Sequence, residues 1–329
     1  MITNSLDAAV AQRFAASQPA EAVVEVSGLR KRYGDHEAVR GIDLEVARGE
    51  IFAFLGPNGA GKTTTVEILE GFRRPDADGG SVRVLGEDPA RAGRAWRERI
   101  GIVLQESAPE AGLTVRECLE LYAGYYRAPR PIEETLELAG LTEVARQRAA
   151  SLSGGQRRRL DVALALIGDA ELIFLDEPTT GFDPTARRAA WEVIDGLRRL
   201  GKTVFLTTHY MEEAERLADR IAVIAAGRII AEGTPRTLGG RDSSEARITF
   251  TPPPGTSAAA ELPPLLAERA EPQSDGRVSF PSTSVAADLH ALSGWALERG
   301  LELADLEVRR ATLEDVYLAL VAQNQESRR

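Results

Sequence analysis

Ile51-Phe52-Ala53-Phe54-Leu55-Gly56-Pro57-Asn58-Gly59-Ala60-Gly61-Lys62-Thr63-Thr64 sets five apolar residues in front of a glycine-rich turn that ends on lysine and threonine. The apolar run reads as a strand buried on both faces, and Lys62 to Leu69 as the helix that follows. Gly56 to Thr63 fits G-x-x-x-x-G-K-[ST], and strand, loop and helix in that order are the setting that gives the pattern its meaning. Glycines let backbone N–H groups approach the α- and β-phosphates of a nucleotide, Lys62 reaches the β/γ oxygens, and the Thr63 hydroxyl ligates Mg²⁺. Gly56, Pro57, Asn58, Gly59, Ala60, Gly61, Lys62, Thr63 and Thr64 are the first set of candidate binding residues. The pattern recurs in many unrelated NTPases, so it gives a chemistry before it gives a protein.

The rest of the composition sharpens that reading. The 329 residues suit one large domain and a smaller one, and 43% apolar content supports a sizeable core. A net charge of −10 argues against broad nucleic-acid binding, which needs a basic face. An acidic protein that binds a polyanion has to build a local positive site from backbone N–H groups, a helix N-terminus and a placed lysine. Lysine occurs only at 31, 62 and 202, so its presence in the loop is not casual. Cys118 alone leaves no thiol pair for a disulfide, metal or redox chemistry, and reads as a small buried apolar side chain. No run approaches the ~18 to 20 apolar residues that span a bilayer, and the first 20 residues do not pattern as a secretion signal. A cytoplasmic protein is expected.

Downstream, Leu172 to Leu175 is a second buried strand that carries Asp176 and Glu177 to its C-terminal edge, where α/β sheets bind ligands. Asp176 there holds Mg²⁺ through water, and Glu177 polarises an attacking water. Ser153-Gly154-Gly155 opens the helix Gln156 to Ile167, in which Leu160, Ala163, Leu164 and Ile167 recur at helical spacing. A helix N-terminus carries roughly half a positive charge with outward N–H groups, so this tip is either an ordinary cap or an anion site.

Leu152-Ser153-Gly154-Gly155-Gln156, lying between the phosphate loop and the acidic strand end, resembles the signature of the ATP-binding subunit of an ABC transporter. The resemblance covers about residues 22 to 238, and the spacings Lys62 to Gln105, Gln156 to Asp176 and Asp176 to His209 are similar to the family's. It implies an α/β P-loop NTPase of the ABC ATPase type, with a mixed sheet core, an antiparallel β subdomain and a helical subdomain at about 106–152. In that family the Ser153-Gly154-Gly155-Gln156 segment closes over the γ-phosphate held by a second subunit, so that ATP joins a head-to-tail homodimer. The resemblance further implies that Gln105 contacts Mg²⁺ and water and senses the membrane partner. It makes His209 the switch histidine at the γ-phosphate, Tyr33 the ring that stacks on adenine, and Asp183 part of the loop along the dimer seam. Phe182 departs from the leucine common there, a tolerable apolar change.

Outside these motifs, residues 1–21 read as a tail, with Leu6, Val10 and Phe14 on one face of a short frayed helix. Residues 113 to 150 read as mostly helical, and Ile221 to Glu232 as a hairpin around Ala226-Gly227. After Gly239-Gly240 the composition shifts, and 241–323 reads as a small α+β domain with strands at 247–250, 277–280 and 302–308, a helix at 285–299, and a short tail at 324–329. Thr312 with Asp315 is a helix-start signal, followed by the apolar stripe Leu313, Val316, Tyr317 and Leu320, which packs on its own domain or on a second subunit. The runs Ser153 to Ala163 and Ala311 to Leu318 are similar to daunorubicin-resistance-type drug-export ATPases, in which this C-terminal domain supports assembly or regulation. A separate integral membrane permease is then the expected partner, received near Tyr122, Tyr125 and Tyr126, with the chain peripheral on the cytoplasmic face. Export of a hydrophobic drug, antibiotic or lipid is the expected work. Two alternatives stand against it. A soluble ABC ATPase acting on ribosomes or DNA would usually bring two nucleotide modules, long coiled-coil insertions or zinc-binding cysteines, none present here. A regulator without turnover would be expected to have lost one of Lys62, Asp176, Glu177 or His209.

Overall fold

Every residue of Ile51–Leu55 is buried without measurable exposure, as a strand enclosed on both faces requires. This strand lies inside a six-stranded sheet in the computed structural model, which describes residues 21–104, 112–241, 245–252 and 262–326. Gln105 and the N-terminal positions Leu6, Val10 and Phe14 lie outside the described residues. The chain divides into two compact units, Met1–Pro235 and Arg236–Arg329.

The first unit runs β1 (Ala22–Tyr33), β2 (His36–Ala47), β3 (Ile51–Leu55), α1 (Lys62–Leu69), β4 (Ser81–Val84), α2 (Arg94–Arg97) and β5 (Ile100–Val103). It continues through α3 (Val115–Ala123), α4 (Ile132–Leu138), α5 (Gly154–Leu166), β6 (Leu172–Asp176), α6 (Pro184–Arg199), β7 (Thr203–Thr208), α7 (Met211–Leu217), β8 (Arg220–Ala225) and β9 (Arg228–Gly233). The large sheet has the order β5-β6-β7-β3-β8-β9, parallel except for the antiparallel edge strand β9. A second sheet, β2-β1-β4, is antiparallel.

Strand periodicity sorts the core into two layers. Phe52, Phe54, Leu172, Phe174 and Phe205 face α1 and the three-stranded sheet. Ile51, Ile173, Leu175, Val204 and Leu206 face α5, α6 and α7. Phe205 lies 5.6 Å from the ring of Phe52 and 5.7 Å from those of Phe54 and Phe174. Truncating such a ring costs about 3–5 kcal/mol. Helix α5 serves two cores: Val162, Ala165 and Leu166 meet the sheet, while Leu160, Ala163, Leu164 and Ile167 meet α3 and α4. Cys118 is buried in the latter cluster. Between 113 and 150 the regular elements are α3, α4 and two single turns of 3₁₀ helix, in keeping with the mostly helical reading of this stretch. Reading the sequence alone passes over α6 and α7. Yet Asp183 and Pro184 are a helix-start signal, since Asp183 Oδ1 accepts the N–H groups of Thr185 and Ala186 at 2.9 Å each.

The second unit comprises β10 (Ala246–Thr251), α8 (Pro264–Ala267), β11 (Glu271–Pro272), β12 (Val278–Ser282), α9 (Val285–Glu298), β13 (Ala304–Arg309) and α10 (Leu313–Glu326). Its antiparallel sheet has the order β11-β12-β10-β13, and Ile248, Phe250 and Phe280 meet Leu292 and Trp295 of α9. Thr312 and Asp315 exchange N–H···O bonds of 3.1 and 2.9 Å, a reciprocal cap for α10. Leu313 is fully buried, and Val316 and Leu320 approach Gly239, so this part of the stripe packs within its own unit.

Candidate functional site

The phosphate loop joins β3 to α1, and two of its glycines are required where they stand. A Cβ at Gly56 would lie 2.4 Å from the Ile224 carbonyl oxygen, and one at Gly61 2.5 Å from that of Ala38. Gly61 is also the cap of α1 at φ 106°, a conformation that L side chains rarely adopt. Lys62 is buried, and its Nζ donates to the carbonyl oxygens of Gly56 at 2.6 Å and Pro57 at 3.3 Å. Burial lowers the Lys62 pKa, opposed by the nearby Glu177 and Asp176 charges. A cavity of about 480 Å³ is lined by Tyr33, His36, Ala38, Asn58, Gly59, Gly61, Lys62, Thr63, Thr64, Asp176 and Glu177. One chain thus brings the ring, the loop and both acidic residues to one space. No sequence pattern marks His36 and Ala38 for this site; they enter because β2 passes the loop. The guanidinium of Arg73, held by Glu67, sits 5.6 Å from the Tyr33 ring centre, and Lys31 Nζ 5.7 Å.

At the end of β6, Thr207 Oγ1 donates to Asp176 Oδ1. The Glu177 N–H is shared between the carbonyl and hydroxyl oxygens of Thr207, each at 3.1 Å. Glu177 has φ 45°, a left-handed backbone that costs a non-glycine residue energy. Its Oε2 lies 3.2 Å from His209 Nδ1 and accepts from Thr180 Oγ1 at 3.1 Å. The His209 and Tyr210 rings are 4.1 Å apart. His209 therefore meets Glu177, 32 residues earlier, because β6 and β7 are parallel neighbours with Asp176 opposite Thr207.

Ser153, Gly154, Gly155, Gln156 and Asp183 do not line the Lys62 cavity. Ser153 Oγ accepts the Gln156 N–H at 3.3 Å and Gln156 Oε1 accepts the Ser153 N–H at 3.0 Å, a reciprocal cap on an exposed helix tip. Asp183 caps α6 from one side, its Oδ1 accepting the N–H groups of Thr185 and Ala186.

Three buried charges around this site escape sequence reading. Arg158 of α5 donates to the carbonyls of Pro178 and Asp176 at 3.0 Å each and also to that of Leu104. Glu213 of α7, with no exposed surface, accepts from Thr179 Oγ1 at 2.9 Å and Trp191 Nε1 at 3.0 Å, and burial raises its pKa. Glu70, at the end of α1, is pushed up to about 8 by burial, with Asp176 and Glu67 adding to the shift. It lines a second cavity of about 430 Å³ with Phe72, Ile100, Ile102, Tyr122 and Tyr126, beside the exposed Tyr125. No local pattern marks these charges, since an arginine within Arg157-Arg158-Arg159 and a glutamate within Glu212-Glu213 look like solvated surface.

The donors available to a metal are the Thr63 hydroxyl and the Asp176 carboxylate, hard oxygens in the same cavity. Among the described residues no group of three or more His, Cys, Asp or Glu could hold a metal. That set fits Mg²⁺, which takes one or two protein oxygens and keeps water and phosphate for the rest. Among the described residues no helix is long and apolar enough to cross a membrane.

Comparison with known proteins places these features in a lineage. Residues 39–180 match the ABC transporter family, and residues 246–312 match the ABC transporter domain-containing protein-like C-terminal domain. The chain is 42% identical to the daunorubicin resistance ATP-binding protein DrrA3 of Streptomyces coeruleorubidus, over 93% of this chain and 98% of that protein. It is 40% identical to the Nod factor export ATP-binding protein I of Paraburkholderia xenovorans, over 93% and 99%. Among solved structures, CbiO1 of Clostridium perfringens, part of the ABC transporter complex CbiONQ, aligns with TM-score 0.60 and 28% identity over 66% of this chain and 90% of that one. An ATP-binding subunit of an ABC transporter aligns with TM-score 0.58 and 27% identity over 65% and 90%.

Proposed function

The chain belongs to the ATP-binding, ATP-hydrolysing subunits of ABC transporters, of the daunorubicin-resistance type, and from that premise we propose a division of labour among its residues. The phosphate-loop N–H groups and Lys62 hold the β- and γ-phosphates, and Tyr33 stacks on adenine with Arg73 and Lys31 beside it. Thr63 and Asp176 hold Mg²⁺, with Gln105 as a further contact. The metal supplies neutralisation of charge on the β/γ oxygens. Glu177 accepts a proton from the attacking water, and His209, fixed at Nδ1 by Glu177, offers its other nitrogen to the γ-phosphate. The Ser153-Gly154-Gly155-Gln156 tip of a second copy completes the site across a head-to-tail homodimer, with Asp183 on the seam.

The observation that carries this reading is the separation of two half-sites: a cavity holding Tyr33, Lys62, Asp176 and Glu177, and a capped glycine tip outside it. The work done is export of a hydrophobic compound, as the names of the drug-resistance and Nod-factor relatives suggest. The pore is a separate membrane permease, seated on the apolar cavity beside Tyr122, Tyr125 and Tyr126, which leaves the chain peripheral on the cytoplasmic face. Glu177→Gln with ATP should elute as a dimer in size exclusion and hydrolyse at least about a hundredfold more slowly. A monomer under those conditions would refute the shared site.

A further inference from the structure

The turn from Asp176 to Thr180 carries the strained Glu177, yet its own hydrogen bonds are few. Within the turn, Thr180 N–H reaches the Glu177 carbonyl at 3.2 Å and Thr180 Oγ1 the Glu177 carboxylate at 3.1 Å. Thr207 of β7 holds the Glu177 N–H and the Asp176 carboxylate, and two helices hold the turn from its other side. Arg158, 7% exposed, places Nε on the Pro178 carbonyl and one Nη on the Asp176 carbonyl, so that its planar fork spans the residues on either side of Glu177. Its other Nη bonds the carbonyl of Leu104, the residue before Gln105, and lies 3.7 Å from Asp161. Glu213 holds the next residue, Thr179, through its fully buried hydroxyl and is itself held by Trp191. The helices providing these groups begin with the two other elements of the site: α5 opens at Ser153, and α7 follows His209.

We propose that Arg158 and Glu213 are positioning residues for ATP hydrolysis: they clamp the Asp176–Thr180 turn and keep Glu177 in its left-handed conformation, aimed at the nucleotide. The proposal rests on the reading of Glu177 as the residue that activates water. Arginine suits the task because a rigid fork can grip two carbonyls of one turn, whereas a lysine offers a single point of charge. The clamp also gives the Ser153 tip a rigid link to the catalytic turn of its own chain, since Arg158 lies one helical turn behind that tip.

The test compares full-length wild type with Arg158→Met, Arg158→Lys, Glu213→Met and Glu177→Gln, measuring ATP affinity, binding stoichiometry and kcat per bound nucleotide. Arg158→Met should lose at least about tenfold in kcat per site with ATP affinity within about threefold, and Arg158→Lys should fall between it and wild type. Hydrogen exchange at the Glu177 amide should quicken in parallel. A merely structural arginine would lower the number of binding sites and leave kcat per site untouched. Should Arg158→Met fail to fold, the lysine and Glu213→Met variants carry the same comparison. Near-normal kcat per site in the Arg158 and Glu213 variants, beside a dead Glu177→Gln, would overturn the clamp alone. Near-normal turnover by Glu177→Gln would overturn both it and the reading beneath it.

Discussion

Glycine is used for two different reasons in the phosphate loop and in the α5 tip. At Gly56 and Gly61 the chain's own backbone forbids a side chain, with carbonyl oxygens 2.4 and 2.5 Å from where a Cβ would stand. At Gly154 a Cβ would meet no atom within 4 Å, and the residue does not have positive φ. The loop is a finished structure whose glycines are explained from within. The tip carries a glycine that its own fold does not require, at the first position of a helix, where alanine would be the better helix former. That leaves the tip open to an outside group, and a phosphate presented by a second copy is the occupant proposed above.

That contrast can be broken by substitution. Gly154→Ala should have the largest effect and the most selective: hydrolysis should fall at least about a hundredfold while thermal stability and ATP affinity of the monomer stay at wild-type values. Normal turnover by this variant would remove the argument for a partner at the tip. Gly56→Ala should do the reverse, destabilising the folded chain by about 1–3 kcal/mol in urea titration through its clash with Ile224, and weakening ATP binding with it. Equal stability of the two alanine variants would erase the distinction.

The enclosed half should also respond to pH. Below the ordinary carboxyl pKa of 4.5, Glu70 is protonated in both native and unfolded chains. Between 4.5 and about 8 the native state keeps a proton that the unfolded state has lost, so this group's contribution to stability is lost as pH rises through that window. The loss should amount to about 1–3 kcal/mol between pH 5 and 8.5, and Glu70→Gln should flatten it. An unchanged slope in that variant would assign the pH dependence elsewhere. Ser153→Ala should bring a modest stability change: losing the hydroxyl side of its reciprocal cap should cost about 1 kcal/mol. Its hydrolysis defect is therefore best judged against Thr312→Ala, which removes the hydroxyl side of a reciprocal cap from α10.

Much of the site was legible because its chemistry is local. Gly56 to Thr63 announces phosphate binding since the N–H groups, the lysine and the hydroxyl all belong to one loop. Leu172 to Glu177 announces an acidic strand end for the same reason. Ser153 with Gln156 announces a cap, and the structure builds it. Illegible residues act over distance. Arg158 reaches carbonyls 18, 20 and 54 positions away, and Glu213 a hydroxyl 34 positions away. In a linear reading these charges are indistinguishable from solvated ones; only burial, which depends on what packs over them, gives them a role.

The sequence alone determined a glycine-rich loop ending on lysine and threonine, an acidic strand end and a capped helix tip, because each is encoded in a few contiguous residues with fixed backbone preferences. Tertiary structure decided that His209 meets Glu177, that Tyr33 shares a cavity with Lys62, and that Arg158 and Glu213 hold one turn. Those meetings follow from the strand order β5-β6-β7-β3-β8-β9, which is not the order of the chain. Burial of the apolar faces around the central Phe205 sets that order, and no window of neighbouring residues contains it.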